Sequence, residues 1–354
     1  MKVNKVVVPR WFDRHLHLRT GKMLKTVLPC TLNQRATGAV IMGNIPYPNQ
    51  TSTIAKALAY RKEITSLIPV DSDFNPRMTY YLTDDTSPEE VMRGYEEGVW
   101  CAAKLYMANQ KGHGGTTGSQ HGVKNLLGRY PVFAAMEREG IPLLGHFEAV
   151  EEDVDEFDRE IVSLERDLIP LLKAFPELMV VFEHITDGRA ADFVAQAPYQ
   201  IRATVTAHHL MMNRNAMFWI GMNPANYCRP VPKREDHRLK VRKYVTGGNR
   251  RFGAGTDSAP HDEEAKSRCY GCAAGIFTAP AAVEMYTTVF DEDDALKHLG
   301  PFLSENFLCL YEMKVSNEMM TIERTCTFDF WVPQKVGTVQ IFAGGRYFPW
   351  KLVD

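Results

Sequence analysis

The chain has no large excess of charge of either sign. Its 41 basic and 43 acidic side chains leave a formal charge of −2 over 354 residues. That balance removes the electrostatic footprint of a nucleic-acid binder or of a protein drawn to an anionic membrane. A small anionic ligand stays open, since one well-placed arginine can hold it. A disulfide framework is also missing. Cys30, Cys101, Cys228, Cys269, Cys272, Cys309 and Cys326 are odd in number and scattered along a long chain, so they read as reduced thiols of a cytosolic protein. No uncharged apolar run approaches the roughly 18 residues that a membrane span needs. The opening "MKVNKVVVPRWFDRH" has a short apolar run and no small-residue cleavage site, so no signal peptide is expected. Low-complexity tracts, charge blocks and internal repeats are absent. No glycine-rich phosphate loop follows the first strand-like run, which argues against a dinucleotide-binding open sheet.

What the chain does have is apolar content, 45% of residues, at a length that supports a large core. Short β-rich runs recur: 6–18, 38–44, 78–84, 99–107, 141–148, 178–186, 201–209 and 251–260. Most are continuously apolar, as in parallel strands buried on both faces. Helical stretches separate them at 51–68, 87–98, 153–176 and 188–197. The second of these opens Ser-Pro-Glu-Glu, with a capping residue, proline in the first turn and early acids. Eight such strands alternating with helices predict a (β/α)8 TIM barrel, one domain spanning 1–354, with its active site at the C-terminal ends of the strands.

Chemistry-bearing residues gather at those ends. "DRHLHLR" puts His15 and His17 two apart, hence on one face of a strand. Asn44, Lys104, His146, His184 and Asp257 end other runs. In a barrel these ends converge, so imidazoles and a carboxylate distant in sequence become neighbours able to bind a cation such as Zn2+. Lys104 is the odd member, because a buried ammonium beside metal ions is disfavoured. It can snorkel to solvent, form a Schiff base, or take up CO2 and become an anionic carbamate that bridges two ions. Composition and spacing leave all three open. Arg19 follows His17 by two residues, and its planar fork suits a carboxylate.

"DRHLHLRTGKML", "AAKLYMAN", "LLGHFE", "VVFEHIT" and "GTDSAPH" together resemble the dihydroorotase family, of the compact bacterial kind in the amidohydrolase superfamily of metallo-dependent hydrolases. The resemblance covers nearly the whole chain, with the motifs in the family's order. It implies two zinc ions per subunit. His15, His17 and Asp257 would hold one, His146 and His184 the other, and N6-carboxylated Lys104 would bridge them. It further implies that Arg19, Asn44 and His261 grip the substrate carboxylate. Backbone groups of Arg229 and Ala273 would read the ring amides. Thr116 and Thr117, in the Gly-rich stretch 108–123, would contact the substrate from a closing loop. The implied reaction is reversible hydrolysis of dihydroorotate to N-carbamoyl-L-aspartate, with Asp257 as general base and acid. The implied setting is a cytoplasmic homodimer with no nucleic-acid or membrane partner.

Three features depart from the family's pattern: Gly43 before Asn44, Phe147 after His146, and extra residues in "KGHGG". Phe147 is expected to narrow the pocket. Rival readings are a hydantoinase or dihydropyrimidinase, which needs no carboxylate clamp, a Schiff-base lyase acting through Lys104, and a catalytically dead scaffold. The last is disfavoured by the presence of all six candidate ligands. His208, His209, His113 and His121 are not assigned as ligands. Cys269 and Cys272 form a CxxC with no second pair, which argues against a zinc finger.

Overall fold

Residues 6–18 read as one strand in the sequence but divide in three dimensions. In the computed structural model, which describes residues 3–111, 118–325 and 330–353, they form β1 (Lys5–Pro9) and β2 (Asp13–Leu16). Only β2 enters the barrel. The other barrel strands are β3 (Gly38–Ile41), β4 (Asn75–Tyr81), β5 (Ala102–Tyr106), β6 (Leu143–His146), β7 (Val180–Phe182), β8 (Ile201–Val205) and β9 (Phe252–Ala254). They form an eight-stranded sheet in sequential order, parallel at every pairing. The strands are shorter than the apolar runs that announced them.

β1 pairs instead with a late segment. β10 (Met319–Arg324) lies antiparallel to β1 and to a strand at Trp350–Leu352, giving a three-stranded sheet built from both ends of the described chain. β1 has one fully buried residue, Val8, whereas all four residues of β2 are buried. Proline at position 9 lacks an N–H, which suits the end of an edge strand and not the interior of a barrel strand.

The barrel closes between β2 and the segment after β9. Asp257 N–H donates to His15 C=O at 2.9 Å, and His17 N–H donates to Ser258 C=O at 3.2 Å. The buried Asp13 carboxylate reinforces the seam, accepting from Thr256 N–H at 2.9 Å and Thr256 Oγ1 at 2.6 Å. The fold is therefore the (β/α)8 barrel that the alternation predicts.

The four expected helices are present. Ile54–Thr65 is capped by Thr53, whose hydroxyl accepts from Lys56 N–H, and Pro88–Glu96 is capped likewise by Ser87. Gly188–Gln196 starts from Asp187 in the same way. The stretch 153–176 forms a helix only from Arg159, with a wide π turn at Leu164–Leu168 before it resumes at Ile169–Ala174. Further helices at Gly21–Asn33, Tyr130–Glu139, Glu235–Thr246 and Ala282–Glu292 had weaker sequence signals. The run 201–209 is half strand: Ala207–Met211 is helical, so His208 and His209 are helical residues and not strand ends. Thr206 starts that turn by accepting from His209 N–H, a local alternative to extending the strand. The six described cysteines are free. No helix among the described residues is long and apolar enough to cross a membrane.

Two of the departures are packing features. A methyl group on Gly43 would collide with Thr51, whose hydroxyl is committed to Thr79 C=O at 2.7 Å. Phe147 does not narrow the pocket. It is 1% exposed and packs against Phe182, with ring centroids 5.2 Å apart, and its ring lies over Gly145. An added Cβ at Gly145 would overlap that ring. Gly145→Ala is therefore expected to destabilise the protein by about 1–3 kcal/mol, the usual cost of overpacking a core, read as a lower urea midpoint at unchanged m-value.

Candidate active site

The C-terminal ends of the strands carry a buried cluster. His15 and His17 leave β2 on one face, with Nε2 atoms 3.3 Å apart. Asp257 Oδ1 lies 3.4 Å from His15 Nε2 and 3.1 Å from His17 Nε2. Potential ligand atoms of these three side chains all lie within 4.8 Å of one another. His146 ends β6, and its Nδ1 is 3.1 Å from Nε2 of His184, which follows β7. The His15 and His184 rings are 5.0 Å apart, joining the two halves.

Lys104 lies on β5 with no exposed surface, and its Nζ has no hydrogen-bond partner among the described residues. It does not snorkel to solvent. The amine sits 4.8 Å from the centroid of Tyr106, the next residue on the same face of the strand. Burial lowers its pKa to about 8, against the opposing pull of Glu183 and Asp257. The neutral amine, the form that reacts with a carbonyl or with CO2, is thus accessible near neutrality. Burial likewise pushes the His17 imidazole down to about 3, although its hydrogen bond to Asp257 opposes this. Burial alone would raise the Asp257 carboxyl; the hydrogen bond from His17 and the field of His15 outweigh it and hold the group well below the usual range.

These contacts fit a divalent cation. Ring nitrogens face one another at hydrogen-bond distance, a carboxylate stays ionised among them, and Lys104 Nζ and His184 Nδ1 are buried without hydrogen-bond partners among the described residues. Neutral imidazoles and a carboxylate converging in this way are metal ligands by type.

Sequence reading missed the groups that hold the ligands. Glu183 Oε2 lies 2.5 Å from His15 Nδ1 and accepts from Thr204 Oγ1 at 2.6 Å. Glu148 Oε2 lies 2.7 Å from His146 Nε2. Each carboxylate takes one ring N–H and leaves the opposite nitrogen facing the cluster. The local signal was an acid beside a strand-end histidine, "HFE" and "FEH". Tyr106, which lines the cavity, gave no such signal. Arg19, His184 and Asp257 also adopt left-handed backbone, with φ of 57°, 40° and 44°. Three of the nine non-glycine residues with positive φ among the described residues thus stand at the cavity wall.

Beside the cluster, Arg19 Nη2 lies 3.1 Å from His261 Nε2, and its Nε donates to Pro260 C=O at 3.2 Å. Asn44 and Arg229 line the same cavity as His15 and Asp257. Ala273 is not brought to the cavity. Its N–H donates to Ala265 C=O at 2.9 Å and its C=O accepts from Lys266 at 3.1 Å, while Ala274 and Gly275 line the wall. Thr116 and Thr117 lie outside the described residues. His208, His209 and Cys228 form a second buried group with ligand-type atoms. His209 is already engaged at both nitrogens, by Thr206 Oγ1 at 2.8 Å and Pro230 C=O at 3.0 Å.

No family model matches the chain. Curated relatives do. A dihydroorotase of Sphingopyxis alaskensis is 45% identical over 350 residues, covering 99% of both chains. One of Methylobacillus flagellatus is 45% identical over 358 residues, again with 99% of both covered. Among solved structures, the dihydroorotase of Saccharomyces cerevisiae in complex with 5-fluoroorotic acid has a TM-score of 0.88 at 27% identity, covering 99% of both chains. An L-hydantoinase from Arthrobacter aurescens shares the fold, with a TM-score of 0.80 at 14% identity. The barrel and its strand-end cluster are those of a hydrolase acting on cyclic amides, in the amidohydrolase superfamily. Within that class, the chain belongs to the dihydroorotase family.

The carboxylates behind the histidines give a first test of the site. Glu183→Ala is expected to weaken divalent-metal binding by about 10–100-fold, measured by zinc titration of the stripped protein, with the far-UV circular dichroism unchanged.

Proposed function

We propose that this protein catalyses the reversible hydrolysis of (S)-dihydroorotate to N-carbamoyl-L-aspartate, a step of pyrimidine biosynthesis, as a cytoplasmic homodimer. The observation that carries the reading is one cavity with two halves. One is the cluster of His15, His17, His146, His184 and Asp257, with Lys104 buried on β5; the other is Arg19 with Asn44 on the same wall, and His261 reaches Arg19 from the adjoining cavity. The 45% identity to dihydroorotases over nearly the full length supports it. The free cysteines suit a reducing compartment. The homodimer rests on the family resemblance.

In this reading, His15, His17 and Asp257 would hold one zinc ion and His146 and His184 a second, with carboxylated Lys104 shared between them. Such a pair supplies a nucleophile ionised near neutral pH and polarises a carbonyl. The remaining chemistry belongs to side chains. Arg19 holds the substrate carboxylate by charge-assisted hydrogen bonds and so fixes the scissile amide over the cluster. His261 stays neutral, pushed down to about 3 by burial and by the nearby Arg19, so it adds no competing charge. Water oxygen joins the ring carbonyl carbon as the C–N bond breaks. Asp257 takes the proton from the attacking oxygen and delivers it to the departing ring nitrogen. The carboxylate is ionised and so free to accept a proton, and it stands at the seam beside His15 and His17. Thr116 and Thr117 would add contacts to the substrate.

A hydantoinase-like enzyme would share the cluster but would not need the clamp. Arg19→Ala is therefore expected to raise KM for dihydroorotate by about 10–100-fold, the worth of a hydrogen bond to a charged group; steady-state kinetics showing a change below twofold would favour the rival. Anomalous diffraction at the zinc edge, on crystals grown with bicarbonate, should show two peaks roughly 3.5–4 Å apart with extra density on Lys104. A bare Lys104 trapped by borohydride with a carbonyl substrate would revive the lyase.

A further inference from the structure

Lys266 is a buried cation whose hydrogen bonds go to backbone carbonyls. It lies on the short helix Glu263–Ser267, is 6% exposed, and donates from Nζ to Tyr227 C=O at 2.8 Å, Ala273 C=O at 3.1 Å and Gly275 C=O at 2.8 Å. Three acceptors saturate an ammonium's three donors. The acceptors belong to two separate segments. One leads into Arg229, and the other is the 273–275 wall; Arg229, Ala274 and Gly275 all line the cavity.

Other bonds run through the same knot. Gly275 N–H donates to Tyr227 C=O at 3.1 Å, and Ala273 N–H donates to Ala265 C=O at 2.9 Å, one residue before Lys266. His261 Nε2 lies 2.9 Å from Ala274 C=O. Without a cation, the carbonyls of Tyr227, Ala273 and Gly275 would point at one another and repel. Gly275 has a φ of 150°, and an added Cβ there would press on His261. This backbone is set by its surroundings, not by local preference.

We propose that Lys266 is a positioning residue for substrate: it clamps the Arg229 and 273–275 segments together and so shapes the wall that faces the substrate ring, while Arg19 independently holds the carboxylate. The assignment of ring and carboxylate rests on the dihydroorotase reading. All three hydrogen bonds of Lys266 go to backbone carbonyls of the wall, so its loss acts on ring recognition first.

The test compares Lys266→Met and Lys266→Gln with the unaltered protein. For Lys266→Met, KM for dihydroorotate and the dissociation constant for 5-fluoroorotate should both rise by about tenfold or more, the equivalent of one buried hydrogen bond to a charged group. The kcat should fall less than threefold, and zinc content should be unchanged. Inhibition by acetate, a carboxylate without a ring, should shift less than twofold. Lys266→Gln, which keeps two donors, should fall between. Amide exchange at Ala273 and Gly275 should quicken by about tenfold in Lys266→Met while β5–β8 stay protected. Equal losses for 5-fluoroorotate and acetate, or unchanged exchange at those amides, would overturn the proposal. If the unaltered protein neither binds 5-fluoroorotate nor turns over dihydroorotate, the functional reading fails; the exchange result still decides whether Lys266 is the clamp.

Discussion

Closure of the barrel between β2 and the segment after β9 is the constraint on which the site depends. Two backbone hydrogen bonds, Asp257 N–H to His15 C=O and His17 N–H to Ser258 C=O, set the register of that seam. They place a carboxylate and two imidazoles, far apart in the chain, within reach of a single ion. Asp13 pins the same seam from beneath through Thr256. Because side chains alternate along a strand, a shift of one residue would turn His15 and His17 away from the mouth together. The chemistry is thus held by a buried and hydrogen-bonded seam of the fold.

That placement creates an electrostatic problem which the structure distributes over several groups. Lys104, Asp257, Glu148 and Glu183 are all buried close together, in surroundings where an unpaired charge is costly. Two of the carboxylates settle on histidine nitrogens, Glu183 on His15 and Glu148 on His146. Asp257 is held by His17. Lys104 has no hydrogen-bond partner among the described residues, and burial moves it toward the neutral amine. A cluster with opposed ring nitrogens and an unpartnered amine is incomplete as protein alone, and cations together with a carbamate would complete it.

The cationic end of the cavity is arranged differently. Arg19 and His261 share one contact, and burial keeps His261 uncharged, so the positive charge there is concentrated on the guanidinium. Lys266 contributes a second buried cation, spent entirely on carbonyls of the cavity wall. Two buried cations thus stand on this side of the cavity in different surroundings, one beside a neutral imidazole and one saturated by backbone carbonyls, in a chain whose net charge is close to zero.

The barrel and the cluster were legible in the sequence because both follow local periodicities. Buried parallel strands are written as apolar runs, and HxH fixes a shared face by the two-residue repeat of a strand. His15, His17, Lys104, His146, His184 and Asp257 could be picked out by standing at the ends of such runs. Their family pattern then supplied roles that spacing alone left open, above all for Lys104. The N-terminal run was misread as continuous because nothing local shows that Lys5–Pro9 pairs with Met319–Arg324. His208 and His209 were placed on a strand because only the Thr206 cap, a contact visible in three dimensions, ends it. The packing of Phe147 against Phe182 and the three-carbonyl grip of Lys266 had no sequence signature either, and the acids in "HFE" and "FEH" did not show which histidine each would hold. Each joins groups from different strands or loops, and such contacts come into being only when the chain closes. The sequence by itself determined which residues can do chemistry and on which face of a strand they stand; the tertiary structure decided which of them meet, because only barrel closure brings distant strand ends within bonding distance.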